Sequence, residues 1–288
     1  MKEIVVISGK GGTGKTTIVG GLAVLMENKV LADCDVDAAD LHLILATKVI
    51  ETYDFKAGVR PVVDEKRCTA CGTCAGLCRF DAIEIQKIAK IDEFLCEGCG
   101  VCVHFCPESA MSLRENTCGE WYVSDTPYGP MVHARLGIGE ENSGKLVSLV
   151  KQKARQIAED IGSDFILIDG PPGIGCPVIS SLSNADAVLV VTEPTLSGLH
   201  DLERVIDLAR HFKLLSCACI NKWDINPEIS AQIEGICLKK GVRVISRLPF
   251  DREAVKSIIA RRPIVGYDRG PIADSIRRLF NGLTILLD

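Results

Sequence analysis

The chain has 288 residues, 47% of them apolar, and its 33 Lys and Arg against 38 Asp and Glu give a formal net charge of −5. This supports one large core with a small satellite, and the acidic balance implies no basic nucleic-acid-binding patch. No apolar run approaches the ~18 residues that span a bilayer, and no secretory leader is read, so the 14 cysteines are expected in a reducing cytoplasm and not in disulfides.

The first element, KEIVVIS at Lys2 to Ser8, is β-branched and strand-like. GKGGTGKTT follows at once, then IVGGLAVLM at helical length. Gly9, Gly14, Lys15 and Thr16 satisfy G-x-x-x-x-G-K-[ST] between a strand and a helix. A loop of this kind cradles phosphates on backbone N–H groups at a helix N-terminus. Here it comprises Gly9, Lys10, Gly11, Gly12, Thr13, Gly14, Lys15, Thr16 and Thr17. Lys15 would reach the β- and γ-phosphates of a nucleotide, and the Thr16 hydroxyl would bind Mg²⁺. A second short strand, residues 29–33, leads into LADCDVDAADLHL, which carries Asp33 and Asp35.

Eight cysteines then form two copies of C-x2-C-x2-C-x3-C: Cys68, Cys71, Cys74 and Cys78, then Cys96, Cys99, Cys102 and Cys106. This is the ligand run for two [4Fe–4S] clusters. Zinc sites more often use two CxxC pairs. CRFDAIEI after the first run answers CPESAMSL after the second, so the segment is an internal repeat. One departure is Arg79, where the second copy has Pro107. Residues 60–117 carry a formal net charge of −2, and clusters with their thiolates would deepen it, which suits a basic partner surface.

Alternating residues on both sides of TPYGP predict a β-hairpin, and Ser143 to Asp160 reads as a helix. FILIDGPPGIG is an apolar strand ending in Asp169, followed by a loop with Gly170, Gly173 and Gly175. Further strand-like runs at 187–192, 215–220 and 242–247 alternate with helical stretches. The pattern predicts an α/β fold with a mainly parallel, doubly wound sheet. Asn221, Lys222 and Asp224 match an NKxD element. Ile272, Ile276, Leu279, Phe280 and Leu283 stand at helical spacing. Few cations accompany them, so a last helix packed on the sheet is expected, not a membrane-binding one.

Lys10, directly after the first glycine, makes KGGTGKTT resemble the deviant P-loop of the MinD/ParA class of ATPases. That class includes the nitrogenase iron protein and the Mrp-type cluster carriers. The resemblance implies a homodimer in the nucleotide-bound state, with Lys10 reaching the partner's nucleotide as an arginine finger does. It implies catalytic roles for Lys10, Lys15 and Asp35, the last orienting the attacking water. Asp33 would lie near the Mg²⁺, and Asp169 would bind it through water. Asn221 would contact the base, which the resemblance makes adenine despite the NKxD match. Residues 60–117 resemble two-cluster ferredoxins. That resemblance implies one cluster on Cys68, Cys71, Cys74 and Cys106, and the other on Cys78, Cys96, Cys99 and Cys102. As a whole the chain resembles MinD-superfamily ATPases with an inserted ferredoxin domain. Residues 1–59 and 118–288 would form the discontinuous ATPase domain, and 60–117 a small inserted α+β ferredoxin-like domain.

Six cysteines remain. Cys34, Cys118, Cys217, Cys219 and Cys237 read chiefly as small core residues. Cys176 lies seven residues after Asp169, on the loop that the resemblance makes switch II, where nitrogenase-type iron proteins carry a cluster-bridging cysteine; Cys118 is the candidate for the second cysteine such a bridge needs. The CxxC that Mrp-type carriers use to bridge a dimer is absent near Asn221, which counts against a plain carrier. The expected function is coupling of nucleotide binding and hydrolysis in a dimer to electron transfer toward a redox partner protein. The alternatives are an ATP-dependent iron–sulfur scaffold or carrier, and a MinD-like positioning protein with redox-sensing clusters.

Overall fold

A strand covered on both faces has no polar–apolar alternation. β1 (Lys2–Ser8) is buried at every residue after Lys2, and β2 (Lys29–Asp33) and β9 (Ala187–Thr192) are buried throughout. The computed structural model describes residues 1–140 and 143–287. In it these strands join β8 (Phe165–Pro172), β10 (Leu215–Asn221), β11 (Arg243–Leu248), β7 (Met131–Leu136), β6 (Met111–Asp125) and β3 (Lys48–Val63) in a nine-stranded sheet. The order is β11-β10-β9-β1-β8-β2-β7-β6-β3, and every pair from β11 to β7 is parallel.

One face of the sheet presents Ile4, Val6, Leu31, Leu167, Leu189 and Val191 to α1 (Lys15–Leu25), α10 (Ile264–Tyr267) and α11 (Pro271–Leu287). Ile272, Ile276, Leu279 and Leu283 of α11 are buried in this core, each contributing about 1.5–3 kcal/mol. The last helix therefore packs on the sheet, and no helix among the described residues is long and apolar enough to cross a membrane. Cys217 and Cys219 belong to the same core. The other face lies under α5 (Ser143–Ile161), α6 (Cys176–Leu182), α7 (Leu196–His211) and α8 (Pro227–Lys239). β6 and β7 are neighbours joined by the TPYGP turn, where the Thr126 hydroxyl donates to Gly129 O and accepts from Tyr128 N–H. Parallel pairing brings the C-terminal ends of β1, β2, β8, β9 and β10 to one edge, and with them every motif loop.

The chain divides into two compact units. Residues 1–53, 120–136 and those from 143 onward form one unit, which holds the parallel strands from β11 to β7; 54–119, with the stretch opening at Gly137, form the second. The division falls a few residues outside the 60–117 read from the cysteine runs, because β3 and β6 are continuous strands that outrun the motif. In the second unit, α3 (Thr73–Leu77), β4 (Ile83–Ile85), β5 (Ala89–Ile91) and α4 (Val101–His104) surround the cysteines, with β4 and β5 antiparallel.

The repeat is visible in the backbone. Ala70, Gly72 and Asp81 have φ of 54°, 80° and 50°; Gly98, Gly100 and Ser109, each 28 residues later, have φ of 64°, 77° and 46°. Ala70 shows that the first of these turns accepts a Cβ. At Gly98 a Cβ would collide with the carbonyl of Val59. Gly98→Ala is therefore expected to destabilise this unit by at least the ~1–2 kcal/mol of left-handed strain, with the collision added. Ala70→Gly should stay within about 1 kcal/mol of the parent, and denaturant titration of both variants checks the contrast.

Candidate nucleotide site and cysteine cavities

The loop after β1 closes on itself before α1 begins. Gly14 caps α1 at φ 92°, a left-handed conformation, and a Cβ there would overlap the Asn221 side-chain amide. Asn221 donates through Nδ2 to Thr13 O at 2.7 Å, and its Oδ1 accepts from Lys222 N–H at 3.0 Å. The residue expected at the base thus also braces the phosphate loop from the end of β10. Gly11, Gly12, Gly14, Lys15, Thr16, Thr17, Asp35 and Asn221 line one cleft of about 570 Å³. Its far wall is apolar: Pro249, Phe250, Ala254, Val255 and Ile258, the last three on α9 (Arg252–Ile259). A polar end for phosphates and an apolar end for a flat base describe a nucleotide cleft.

Three carboxylates and a lysine meet beneath the loop. Lys15 is buried, its Nζ 3.9 Å from Asp35 Oδ2. Asp33 is fully buried; Oδ1 accepts from Asp35 N–H and Oδ2 from Leu41 N–H, both at 3.1 Å. These bonds fold the segment ahead of α2 (Leu41–Ile44). Asp169 is 1% exposed, and neither carboxylate oxygen has a hydrogen-bond partner. An orphaned buried carboxylate beside Thr16 suits a divalent cation, which prefers hard oxygen donors. Burial pushes the Asp33 and Asp169 carboxyls well up, Asp169 further raising Asp33, while Lys15 pulls Asp169 back. Burial also raises Asp35 to about 6, against the opposing pull of Lys15.

Lys10 is not in the cleft. Its Nζ pairs with Glu193 Oε1 at 2.7 Å and donates to Thr195 Oγ1 at 3.2 Å and Ser197 Oγ at 3.1 Å. The other Glu193 oxygen pairs with Lys222 at 3.0 Å, and Lys222 also donates to Gly12 O at 3.3 Å. Although partial burial pushes it up, the two lysines hold the Glu193 carboxyl below its usual range. Gly9 packs against Asp201. Glu193 was missed in the sequence, but its position at the C-terminal end of β9, where such sheets keep their ligands, was an available signal. Asp224 accepts Phe250 N–H at 2.7 Å.

In the second unit the cysteines fall into two small cavities, each of about 20 Å³. One is lined by Cys68, Cys71, Cys74 and Cys106, the other by Cys78, Cys96, Cys99 and Cys102. Each therefore takes three cysteines of one run and the fourth of the other. Ala89 N–H donates to Cys68 Sγ at 3.4 Å and Ala110 N–H to Cys106 Sγ at 3.3 Å. The four sulfurs of each cavity line a space; among the described residues no three His, Cys, Asp or Glu groups close on a single metal ion. Of the two cysteines considered for a bridge, Cys118 is buried and its thiol donates to Ala57 O at 2.8 Å, whereas Cys176 is exposed at the start of α6.

The family model of the CobQ/CobB/MinD/ParA nucleotide-binding domain matches residues 4–264. The chain belongs to this family of P-loop ATPases. It is 33% identical over 285 residues to an uncharacterized protein of Methanocaldococcus jannaschii, covering 98% of this chain and 96% of the relative. It is 29% identical over 148 residues to an iron–sulfur cluster carrier protein of Pyrococcus horikoshii, covering 46% of this chain and 50% of the carrier. Among solved structures it is similar in fold to the septum site-determining protein MinD of Pyrococcus horikoshii complexed with Mg-ADP, with TM-score 0.62 and 19% identity over 99% of this chain and 97% of that one.

The raised carboxyls give the pH dependence of stability a sign. A carboxyl raised by folding binds its proton more tightly in the folded state, so its contribution to stability is present at low pH and lost as pH rises through the folded value. For Asp35 the change lies between about 6 and its ordinary value of 3.8. The nucleotide-free protein is expected to melt higher at about pH 5.5 than at about pH 7.5. Mg²⁺ with nucleotide should flatten that dependence by compensating the same charges, and Asp35→Asn should weaken it without nucleotide. Thermal melts across this range provide the check.

Proposed function

We propose that the protein is an iron–sulfur ATPase in which nucleotide binding and hydrolysis gate electron transfer through two [4Fe–4S] clusters. The observation that carries this reading is the exchange of the fourth cysteine between the two cavities, the arrangement known for two-cluster ferredoxin runs. Cys68, Cys71, Cys74 and Cys106 would hold one cluster, and Cys78, Cys96, Cys99 and Cys102 the other. When bound, the clusters supply one-electron redox chemistry. The chain supplies the thiolates, the N–H donors from Ala89 and Ala110, and the partial burial around Cys74 and Cys102.

At the cleft, Lys15, Thr16 and the N–H groups of the loop would hold the phosphates of ATP, and Asp169 would hold Mg²⁺ through water. Asp35 would orient the attacking water. Adenine is favoured over guanine because Asp224 is engaged with the Phe250 backbone and does not line the cleft. Lys10 would act across a homodimer, after leaving Glu193. Similarity to iron–sulfur cluster carriers over about half the chain supports a second reading, ATP-driven cluster delivery.

Iron and sulfide near eight each per chain are expected in anaerobically purified protein. EPR-monitored titration should give two signals whose midpoints move by about 45–130 mV on adding Mg²⁺ and a non-hydrolysable ATP analogue, the equivalent of ~1–3 kcal/mol of coupling. Midpoints indifferent to nucleotide, with cluster transfer to an apo-protein, would favour delivery. Lys10→Ala should keep nucleotide binding and lower ATP hydrolysis about 10³-fold, the smaller effect of losing an arginine finger. Equal rates in the two proteins would remove Lys10 from the mechanism.

A further inference from the structure

The two cysteine runs are offset by 28 residues, so each residue flanking one cavity has a counterpart flanking the other. The counterparts share their backbone. Asp92 Oδ1 accepts Phe94 N–H at 2.8 Å, and Asp64 Oδ1 accepts Lys66 N–H at 3.0 Å, the same turn twice. What differs is the surface. Beside the cavity of Cys78, Cys96, Cys99 and Cys102 stand Phe80, Phe94, Leu95 and Val101, all exposed, Phe94 to 80%. Phe80 and Val101 line that cavity, and Phe94 and Leu95 directly precede Cys96. Their counterparts at the other cavity are Glu108, Lys66, Arg67 and Thr73.

Single exposed apolar side chains are ordinary. Four at one of two equivalent sites, against polar counterparts at the other, mark an interaction surface; the exposed Phe105 and Leu77, which precede Cys106 and Cys78, are matched between the two sites and do not distinguish them. Its border is acidic. Asp81, Asp92, Glu93 and Glu97 are next to these residues in the chain, against the single cation Arg79; Arg60, near Glu93, is paired with Glu140 at 2.5 Å.

We propose that the face around Cys78, Cys96, Cys99 and Cys102 is the docking surface for a small, basic, one-electron carrier protein. This inference rests on the iron–sulfur reading above. Transient redox complexes bury under about 1,200 Å², around a less polar centre with a charged rim. Opposite charge steers the encounter and makes it salt-sensitive. One electron crosses the face per encounter. The protein is oxidised by one equivalent and the carrier reduced by one, with no atom transferred.

The test uses ferricytochrome c, a small basic haem protein, as the probe, and calorimetric binding to the oxidised full-length chain, so that no electron passes. Affinity is expected to fall at least tenfold between about 10 mM and about 150 mM salt, as the screening length shrinks from ~30 Å to ~8 Å. Asp81→Asn with Glu93→Gln and Glu97→Gln should flatten that salt dependence. Phe94→Ser should weaken binding about tenfold at both salt concentrations, while Lys66→Ser with Arg67→Ser should not weaken it. Reduction rates of the probe by dithionite-reduced protein should follow the same order. Equal weakening by the Lys66 and Arg67 changes, or salt-independent affinity, overturns the proposal. So does a Phe94→Ser protein that loses self-association but keeps its affinity for the probe, because the occupant would then be a second copy of this chain. Iron and sulfide analysis separates the two readings. A chain without them that binds in the expected pattern keeps the surface and loses the redox role, whereas a loaded chain that ignores the patch loses only the surface.

Discussion

Two buried carboxylates, a half-buried third and a buried lysine at one edge of a parallel sheet are the constraint around which the nucleotide unit is built. Asp33 and Asp169 sit side by side on β2 and β8, paired in register, where burial and mutual repulsion disfavour two charges. The sheet offers each a different relief. Asp33 receives two backbone N–H groups from the loop it shapes, whereas Asp169 receives none. Lys15 compensates part of the remaining charge. A site that is electrostatically incomplete on its own gains more from its ligand than a satisfied one, because binding removes a standing penalty. The buried Lys151 steadies the adjoining segment, pairing with Glu3 and donating to Ser181 O and Ser183 O at the end of α6.

Much of this was legible in the sequence because the signals are local. Lys2 to Ser8 leads straight into the glycines of the phosphate loop, the TPYGP turn joins two alternating strands, and the last helix repeats its apolar residues at helical spacing. Each of these depends on residues within a few turns of one another. What escaped reading depends on long separations. Asn221 braces Thr13 from 208 residues away, and Glu193 holds Lys10 across 183. The apolar wall on α9 looks in the sequence like any amphipathic helix, and only the fold turns Ala254, Val255 and Ile258 toward a cleft. The unit boundary was read slightly short for a related reason: cysteine spacing marks where ligands stand, not where a strand such as β3 ends.

The cysteine repeat shows how duplication and divergence separate scaffold from surface. Left-handed residues recur at equivalent positions because the loops must aim four sulfurs at one space. Ala70 occupies one such position and Gly98 the other, since only the second lies under the Val59 carbonyl. Side chains that face solvent carry no such constraint. There the two halves differ most, with Lys66 and Arg67 in one and Phe94 and Leu95 in the other. Equal backbones with unequal surfaces imply that two similar cavities meet different neighbours.

Lys10 and Glu193 bring the nucleotide unit to a similar logic. On the proposed mechanism a lysine acting in a partner's site would have to be kept from acting in its own, and a flexible side chain beside a phosphate loop has nothing in its backbone to prevent this. Glu193 supplies the restraint through one carboxylate that holds Lys10 and Lys222 together, with Thr195 and Ser197 adding neutral acceptors. Half-buried ion pairs of this kind are worth little individually. Their modest strength suits the proposed exchange of this contact for a phosphate, since an anion of higher charge can outcompete a single carboxylate. Because the contact also ties the end of β9 to Lys222, and Lys222 to the loop carbonyl at Gly12, releasing Lys10 would alter the support of the phosphate loop itself.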